Sequence, residues 1–211
     1  MKKTSTEFGP IPGEIWKVSN TLKESGFEAY LIGGCVRDIL LGIKPKDWDF
    51  TTNAKPEDII RIFPETFYEN VYGTVGVVTE NVSDETLKVV EVTPYRLESE
   101  YSDNRRPDKV IFSSKLDDDL KRRDFTINAI ALNLKDKGTK KDFYKGDIED
   151  PYKGQEDLKD KVLRTVGDPH ERFQEDGLRI LRAVRIANDI NFKIDKKTEV
   201  AWCQDPVSLY S

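Results

Sequence analysis

Two aspartates separated by one residue, Asp47-Trp48-Asp49, are the most chemically pointed feature of this 211-residue sequence. The run from Asp47 to Thr52 (DWDFTT) is rich in aromatic and β-branched residues and predicts a strand. On a strand, positions i and i+2 face the same way, with Cα atoms about 6.6 Å apart. Carboxylates leaning together there can hold a pair of divalent cations roughly 3.5 to 4 Å apart. Their oxygen ligands suit a hard cation such as Mg²⁺. On a solvent-facing edge strand the same residues would be ordinary surface aspartates, so neighbouring features decide between the two.

Gly33-Gly34 lies just upstream, between a predicted strand (Phe27 to Ile32) and a helical pattern (Val36 to Leu41) closed by Gly42. Glycines let backbone amides approach a phosphate, and a helix N-terminus adds partial positive charge. Arg37 stands one turn into that helix for a charge-assisted contact. A bare Gly-Gly is also compatible with a plain tight turn. Glu91, a carboxylate among valines (Val89-Val90-Glu91-Val92), should face away from the core. If its strand neighbours Asp47 to Thr52, Glu91 completes the acidic group or takes a proton from an attacking hydroxyl.

Two further groups carry recognition chemistry. A helix predicted over 117–131 places Asp124 and Asn128 on one face, four residues apart, where they can hold ribose hydroxyls, with Arg122 or Arg123 reaching a phosphate. A second helix is predicted over 169–188, with Asp168 as N-cap and Pro169 at its first position. At 100° per residue Glu175, Arg179 and Arg182 fall within about 60°, with Asp176 some 60° beyond. Phe173, Gly177, Ile180, Leu181 and Val184 fill the opposite, core-facing arc. Asp and Arg held rigid by mutual pairing can read a base edge. Either group also fits solvated ion pairs on a helix face.

The remaining elements frame these groups. Helices are predicted over 14–25 and from Pro56 to Phe63, and a hairpin joins Val75–Thr79 to Leu87–Thr93. Residues 96–109 read as a loop, and a second hairpin joins Ala131–Leu134 to Lys141–Tyr144. A loop and short helix fill 146–160, and 196–211 shows no clear period, as if the chain were cut short.

Composition limits the function classes. Ten Phe, eight Tyr and three Trp argue for a packed core. Cys35 and Cys203 are too few for a disulfide framework or a four-ligand zinc site, and one histidine, His170, makes a Ser-His-Asp triad a poor fit. No apolar run reaches a membrane span and no secretory leader opens the chain, so a cytoplasmic protein with no membrane partner is expected. A net charge of −5 is unlike a chain that grips nucleic acid over its whole surface.

The motifs together resemble a known family. Residues 33–42 (GGCVRDILLG) with 45–52 (PKDWDFTT) look like the nucleotidyltransferase signature of class II, bacterial-type tRNA nucleotidyltransferases and poly(A) polymerases. Residues 122–129 (RRDFTINA) are similar to that family's ribose-reading motif. Asp150-Pro151, Gly154 and Asp157-Leu158 are similar to its hinge-like third motif, and 175–182 (EDGLRILR) to the base-selecting fourth. Arg96, Tyr101, Asp103, Arg105 and Pro107 match its flexible loop. Gly177 stands where the family commonly has proline, and the chain stops at Ser211, where the family continues into a helical body and tail that hold tRNA.

The resemblance implies an α+β fold: a polymerase β-like nucleotidyltransferase head with a small mixed or antiparallel sheet flanked by helices, then the start of a helical neck. It divides the chain into a head, 1–145, and a neck, 146–211. It implies a two-metal Mg²⁺ site on Asp47 and Asp49; Glu91 as third catalytic carboxylate rests on the strand neighbour inferred above, not on the resemblance. Gly33, Gly34 and Arg37 would hold the triphosphate, and Arg123, Asp124 and Asn128 would lie at the sugar. Asp176 and Arg179 would pair with cytosine or adenine, and Arg182 would contact phosphate or act as a brace. The implied substrates are ATP and/or CTP and the RNA partner is the tRNA 3′ end, with no DNA. Other readings are a poly(A) polymerase and a nucleotide-binding remnant with little activity on tRNA.

Overall fold

A computed structural model describes residues 6–69, 73–79, 82–99 and 109–204. Twelve strands are described among these residues: β1 (Thr6–Phe8), β2 (Tyr30–Ile32), β3 (Asp49–Thr52), β4 (Thr66–Tyr68), β5 (Val75–Val78), β6 (Val89–Pro94), β7 (Arg96–Ser99), β8 (Lys109–Phe112), β9 (Ala131–Lys137), β10 (Tyr144–Glu149), β11 (Val162–Leu163) and β12 (Lys193–Ile194). The helices are α1 (Gly13–Glu24), α2 (Gly34–Leu41), α3 (Pro56–Ile62), α4 (Leu116–Lys121), α5 (Gly154–Asp160), α6 (Pro169–Glu175), α7 (Leu178–Asp189) and α8 (Lys196–Gln204), with short 3₁₀ turns at Glu85–Leu87 and Thr126–Asn128.

Eight strands form one mixed sheet in the order β1-β10-β9-β2-β3-β6-β5-β4. Its pairs are antiparallel except β3 with β6, which is parallel and sets Asp49 opposite Glu91. The α+β fold expected from the sequence is the one observed.

Alternation along the strands divides the residues between two faces. Leu31 and Phe50, paired across β2 and β3, join Ile15 and Leu22 of α1, Ile59 of α3 and Leu132 in the main apolar core. Ile32 and Ala131 point the other way and pack with Leu120 of α4. Asp49 and Thr51 alternate with Phe50, so they fall on this second face, the side that α4 covers. The two acidic strands are therefore central in the sheet while their carboxylates lie off its main core.

Several expected elements differ in extent. The strand expected over 47–52 starts at Asp49, and the one expected over 27–32 starts at Tyr30. The first hairpin is present as β5 and β6. The second pairs β9 with β10 in a later register, Tyr144 against Lys137 and Glu149 against Ala131. Because β10 runs to Glu149 inside the large sheet, a boundary after residue 145 falls within a strand. Within the loop expected over 96–109, residues 96–99 instead form β7 and pair with β8, which begins at Lys109; Tyr101, Asp103, Arg105 and Pro107 lie outside the described residues.

The helix expected over 117–131 stops at Lys121. Phe125 is extended and bridges to Thr165, the Thr126 amide donates to the Arg164 carbonyl and the Val166 amide to the Asp124 carbonyl. These tertiary bonds outcompete helical continuation. The helix expected over 169–188 is two helices, parted where Asp176 turns extended and its side chain accepts a hydrogen bond from the Leu178 amide. Glycine at 177 gives little support to a continuous helix. The expected core arc is only half right: Phe173 and Ile180 are buried, but Leu181 and Val184 are 55% and 51% exposed. The buried side of α7 runs instead through Arg179, Ala183, Ile186 and Ala187. Residues 196–204, without a clear period in sequence, form α8.

Candidate active site

The turn between β2 and α2 is the floor of the site. Gly33 has φ +79°, a left-handed conformation that favours glycine, and is the residue capping α2. A Cβ built on Gly33 would stand 3.5 Å from Asp49 Oδ2, and one on Gly34 would stand 3.8 Å from Asp47 Oδ1. Both carboxyl groups therefore face the same Gly-Gly turn. Trp48 between them is buried and belongs to the apolar core. Asp47 reaches this orientation from the bend before β3, not from within the strand.

The acidic group is larger than the pair. Register places Glu91 beside Asp49, and residues paired across neighbouring strands share a face. Burial, then the charges of Glu91 and Asp47, push the Asp49 carboxyl up to about 7, against an opposing pull from Arg123. Burial, then Glu69 and Asp47, push Glu91 up as well. Glu69 acts on both, an acidic neighbour that no sequence motif marked.

These carboxylates open into a cleft of about 490 Å³. Gly34, Arg37, Asp47, Asp49, Glu91, Asn128 and Arg182 all line it. So do Lys46, Arg185 and Asp189, which the sequence reading did not place there. For Arg185 the only sequence signal is its spacing, three residues past Arg182 on the same helix. A mainly apolar cavity of about 630 Å³ lies elsewhere and holds none of the expected site residues.

A chain of polar contacts joins the cleft walls. Arg182 donates to Asp124 Oδ2 through Nε and Nη2 (2.9 and 2.7 Å). Asp124 Oδ1 accepts from the Phe125 amide (2.8 Å) and from Asn128 Nδ2 (3.3 Å). Asn128 Oδ1 accepts from Arg37 Nη1 (3.0 Å), and Arg37 Nε donates to Asp38 Oδ1 (2.8 Å). Burial opposes charge on Asp124, but the Arg182 guanidinium outweighs it and holds the carboxyl below the usual range. Asp124 and Asn128 do meet, although no continuous helix joins them.

Asp176 and Arg179 are placed apart from this cleft lining. Asp176 caps the start of α7. Arg179 is buried, donating to Glu175 Oε2 (2.6 Å), the Arg172 carbonyl (3.2 Å) and the Arg122 carbonyl (3.2 Å). Arg123 lies at the turn, its Nη1 3.4 Å from the Cβ position at Gly33.

The donor set fits Mg²⁺. That cation is commonly held by one or two carboxylates, with phosphate oxygens and water completing the shell. Asp47 and Asp49 offer such a pair, and the crowding of acids around Asp49 is what a divalent charge would relieve. Among the described residues no group of three or more Asp, Glu, His or Cys side chains forms a ready-made cage.

Residues 29–164 match the family model described as the poly A polymerase head domain. The CCA-adding enzymes of Lactobacillus helveticus and Enterococcus faecalis are each 45% identical over 185 and 195 residues, covering 87% and 90% of this chain and 42% and 44% of theirs. The crystal structure of the Bacillus stearothermophilus CCA-adding enzyme in complex with CTP superposes with a TM-score of 0.76 at 38% identity, over 92% of this chain and 43% of that one. A tRNA nucleotidyltransferase complexed with a primer tRNA and an incoming ATP analogue gives 0.66 at 34% identity, over 89% and 49%. The chain thus spans less than half the length of these relatives. Its motifs, its sheet and the match over most of its length agree: the chain belongs to the poly(A) polymerase head-domain family.

Proposed function

We propose that this chain is the nucleotide-binding and transfer portion of a template-independent RNA nucleotidyltransferase that adds C and/or A to the tRNA 3′ end from CTP and ATP, releasing pyrophosphate. One observation carries the reading: Asp47 and Asp49 converge on the Gly33-Gly34 turn, in a cleft also lined by Arg182 and Arg185. The likeness to CCA-adding enzymes supports it.

In this reading the triphosphate lies along the Gly33-Gly34 turn at the start of α2, against Arg37 and Arg123. Amides and cations fixed before the reaction stabilise charge that develops during it. Asp47 and Asp49 would hold Mg²⁺, which when bound supplies Lewis-acid activation of the attacking oxygen and neutralises the leaving pyrophosphate. Glu91 takes up the proton of the RNA 3′-hydroxyl as that oxygen attacks the α-phosphate. Asp124 and Asn128, held by Arg182 and Arg37, meet the sugar. Asp176 and Arg179 meet the base edge, a role that requires Asp176 to leave the Leu178 amide and Arg179 to leave Glu175 and the Arg172 and Arg122 carbonyls. The head in this reading closes with β10, and the neck begins with α5.

The test is incubation with tRNA lacking its CCA end, Mg²⁺ and labelled CTP or ATP. Incorporation that Asp47→Ala abolishes supports the enzyme; nucleotide binding with no incorporation into any RNA supports a remnant. A poly(A) polymerase, which the family model's description favours, would use ATP and leave CTP untouched.

A further inference from the structure

The chemistry above leaves one costly feature unused. Asp119, in α4, is a carboxylate with no solvent exposure. A buried charge persists only where partners satisfy it. Its Oδ1 accepts from Arg122 Nε and Nη2 (2.9 and 2.6 Å). Its Oδ2 accepts from Arg123 Nη2 (3.0 Å) and from the Thr51 hydroxyl (3.1 Å). The two arginines lie three and four residues along the chain, a helical spacing that brings both onto one carboxylate. Thr51 lies two residues beyond Asp49 on β3, so strand alternation puts it on the acidic face.

The contacts have a direction. Two guanidiniums around one carboxylate leave a net positive charge, and Arg123 carries it to the turn, with Nη1 3.4 Å from the Cβ position at Gly33. Arg123 Nε is buried and has no hydrogen-bond partner. The side chain is thus gripped at Nη2, with Nη1 the guanidinium nitrogen set beside the Gly-Gly turn. The Arg122 carbonyl accepts from Arg179 Nη2, which ties the same cluster to α7 (3.2 Å).

We propose that Asp119 is a positioning residue: anchored to β3 by Thr51, it sets the Arg123 guanidinium against the Gly33-Gly34 turn, where Arg123 meets the phosphates of a bound nucleoside triphosphate. The proposal rests on the nucleotide reading of the cleft. It assigns Asp119 no contact with substrate and makes its effect depend on the phosphates, which a merely structural knot would not do.

The test is calorimetric titration of the chain with CTP and with CMP in Mg²⁺, for wild type, Asp119→Asn, Arg123→Ala and the double variant. A hydrogen bond to a charged group is worth enough that CTP affinity should fall roughly 10-fold in Asp119→Asn, with CMP affinity changed much less. Arg123→Ala should show the same selectivity. The double variant should lose little more than either single one, the signature of two residues acting as a unit. Thr51→Val, which loosens the same carboxylate oxygen, should give a smaller loss of the same kind and covers the case in which Asp119→Asn does not fold. Wild type that binds neither nucleotide overturns the cleft reading and this proposal with it. Wild type that binds CTP, beside variants that bind it unchanged or that lose CTP and CMP alike, overturns the role of Asp119 alone.

Discussion

Replacing Asp49 by asparagine should stabilise the metal-free protein while removing its response to Mg²⁺. Burial and three neighbouring carboxylates, Glu91, Asp47 and Glu69, raise the Asp49 carboxyl from 3.8 to about 7 against the pull of Arg123. A carboxyl raised on folding binds its proton more tightly in the folded state. Its favourable contribution is therefore complete below the unfolded value and lost as pH rises through the folded one. Between pH 4 and 7 the metal-free wild type should weaken relative to Asp49→Asn, and the gap should be widest above pH 7. At about 1.4 kcal/mol per pH unit the ceiling is roughly 4 kcal/mol, and water at the partly exposed carboxylate reduces it to about 1 to 3. For a chain of this size that is roughly 2 to 10 °C in Tm. Saturating Mg²⁺ should restore about 3 kcal/mol to wild type at 100 times its dissociation constant and nothing to the variant. Thermal unfolding followed by circular dichroism, with EDTA and with Mg²⁺ across pH 5 to 8.5, reads all of this. A metal-free Asp49→Asn less stable than wild type at pH 8, or an equal Mg²⁺ shift in both, would refute the electrostatic reasoning.

Other outcomes follow from the packing. Gly154→Ala drives a methyl into the Thr126 carbonyl oxygen and to 2.7 Å from Ile130 Cγ1, so urea unfolding should show a loss of about 1 to 3 kcal/mol or more. Arg182→Ala leaves Asp124 buried without its cation and should cost about 2 kcal/mol near neutral pH. Because Asp124 titrates below its usual range, that difference should shrink as pH falls through its folded value, and unfolding at pH 7 and pH 3 tests the sign. Asp168→Ala removes the acceptor for the His170 and Glu171 amides and should cost about 1 kcal/mol by the same assay. Gly177→Ala should favour one helix across 169–189 by about 1 kcal/mol of propensity, raising helical ellipticity and freeing Asp176 from its cap.

The sequence revealed those parts of the site that short-range rules govern. A Gly-Gly between a strand and a helix, an Asp-x-Asp leading a β-rich run and a glutamate among valines are local patterns, and the sheet brings all three together. The helix break at Arg122 was not legible, because propensity runs on through that position; at Asp176 the following Gly177 weakens the helix without by itself marking a break. Partners distant in sequence decide the first: Thr165 opposite Phe125, and the Arg164 carbonyl on Thr126. Asp119 escaped notice for a related reason. Three aspartates in a row look like a solvated helix face, and the third is distinguished by its burial against Thr51 of β3 and by the two arginines that close on it. Arg185 and Asp189 enter the cleft through the docking of α7, which periodicity places only to within a face, and Lys46 enters from the bend beside Asp47.

The central claim is that Asp47 and Asp49 together hold the metal that serves a bound nucleotide. Crystals of the chain grown with Mn²⁺ and a non-hydrolysable CTP analogue test it most directly through anomalous scattering. Mn²⁺ should be ligated by oxygens of both aspartates and of the triphosphate, beside the Gly33-Gly34 turn. Manganese bound elsewhere, or a nucleotide seated away from that turn with both carboxylates unligated, would contradict it.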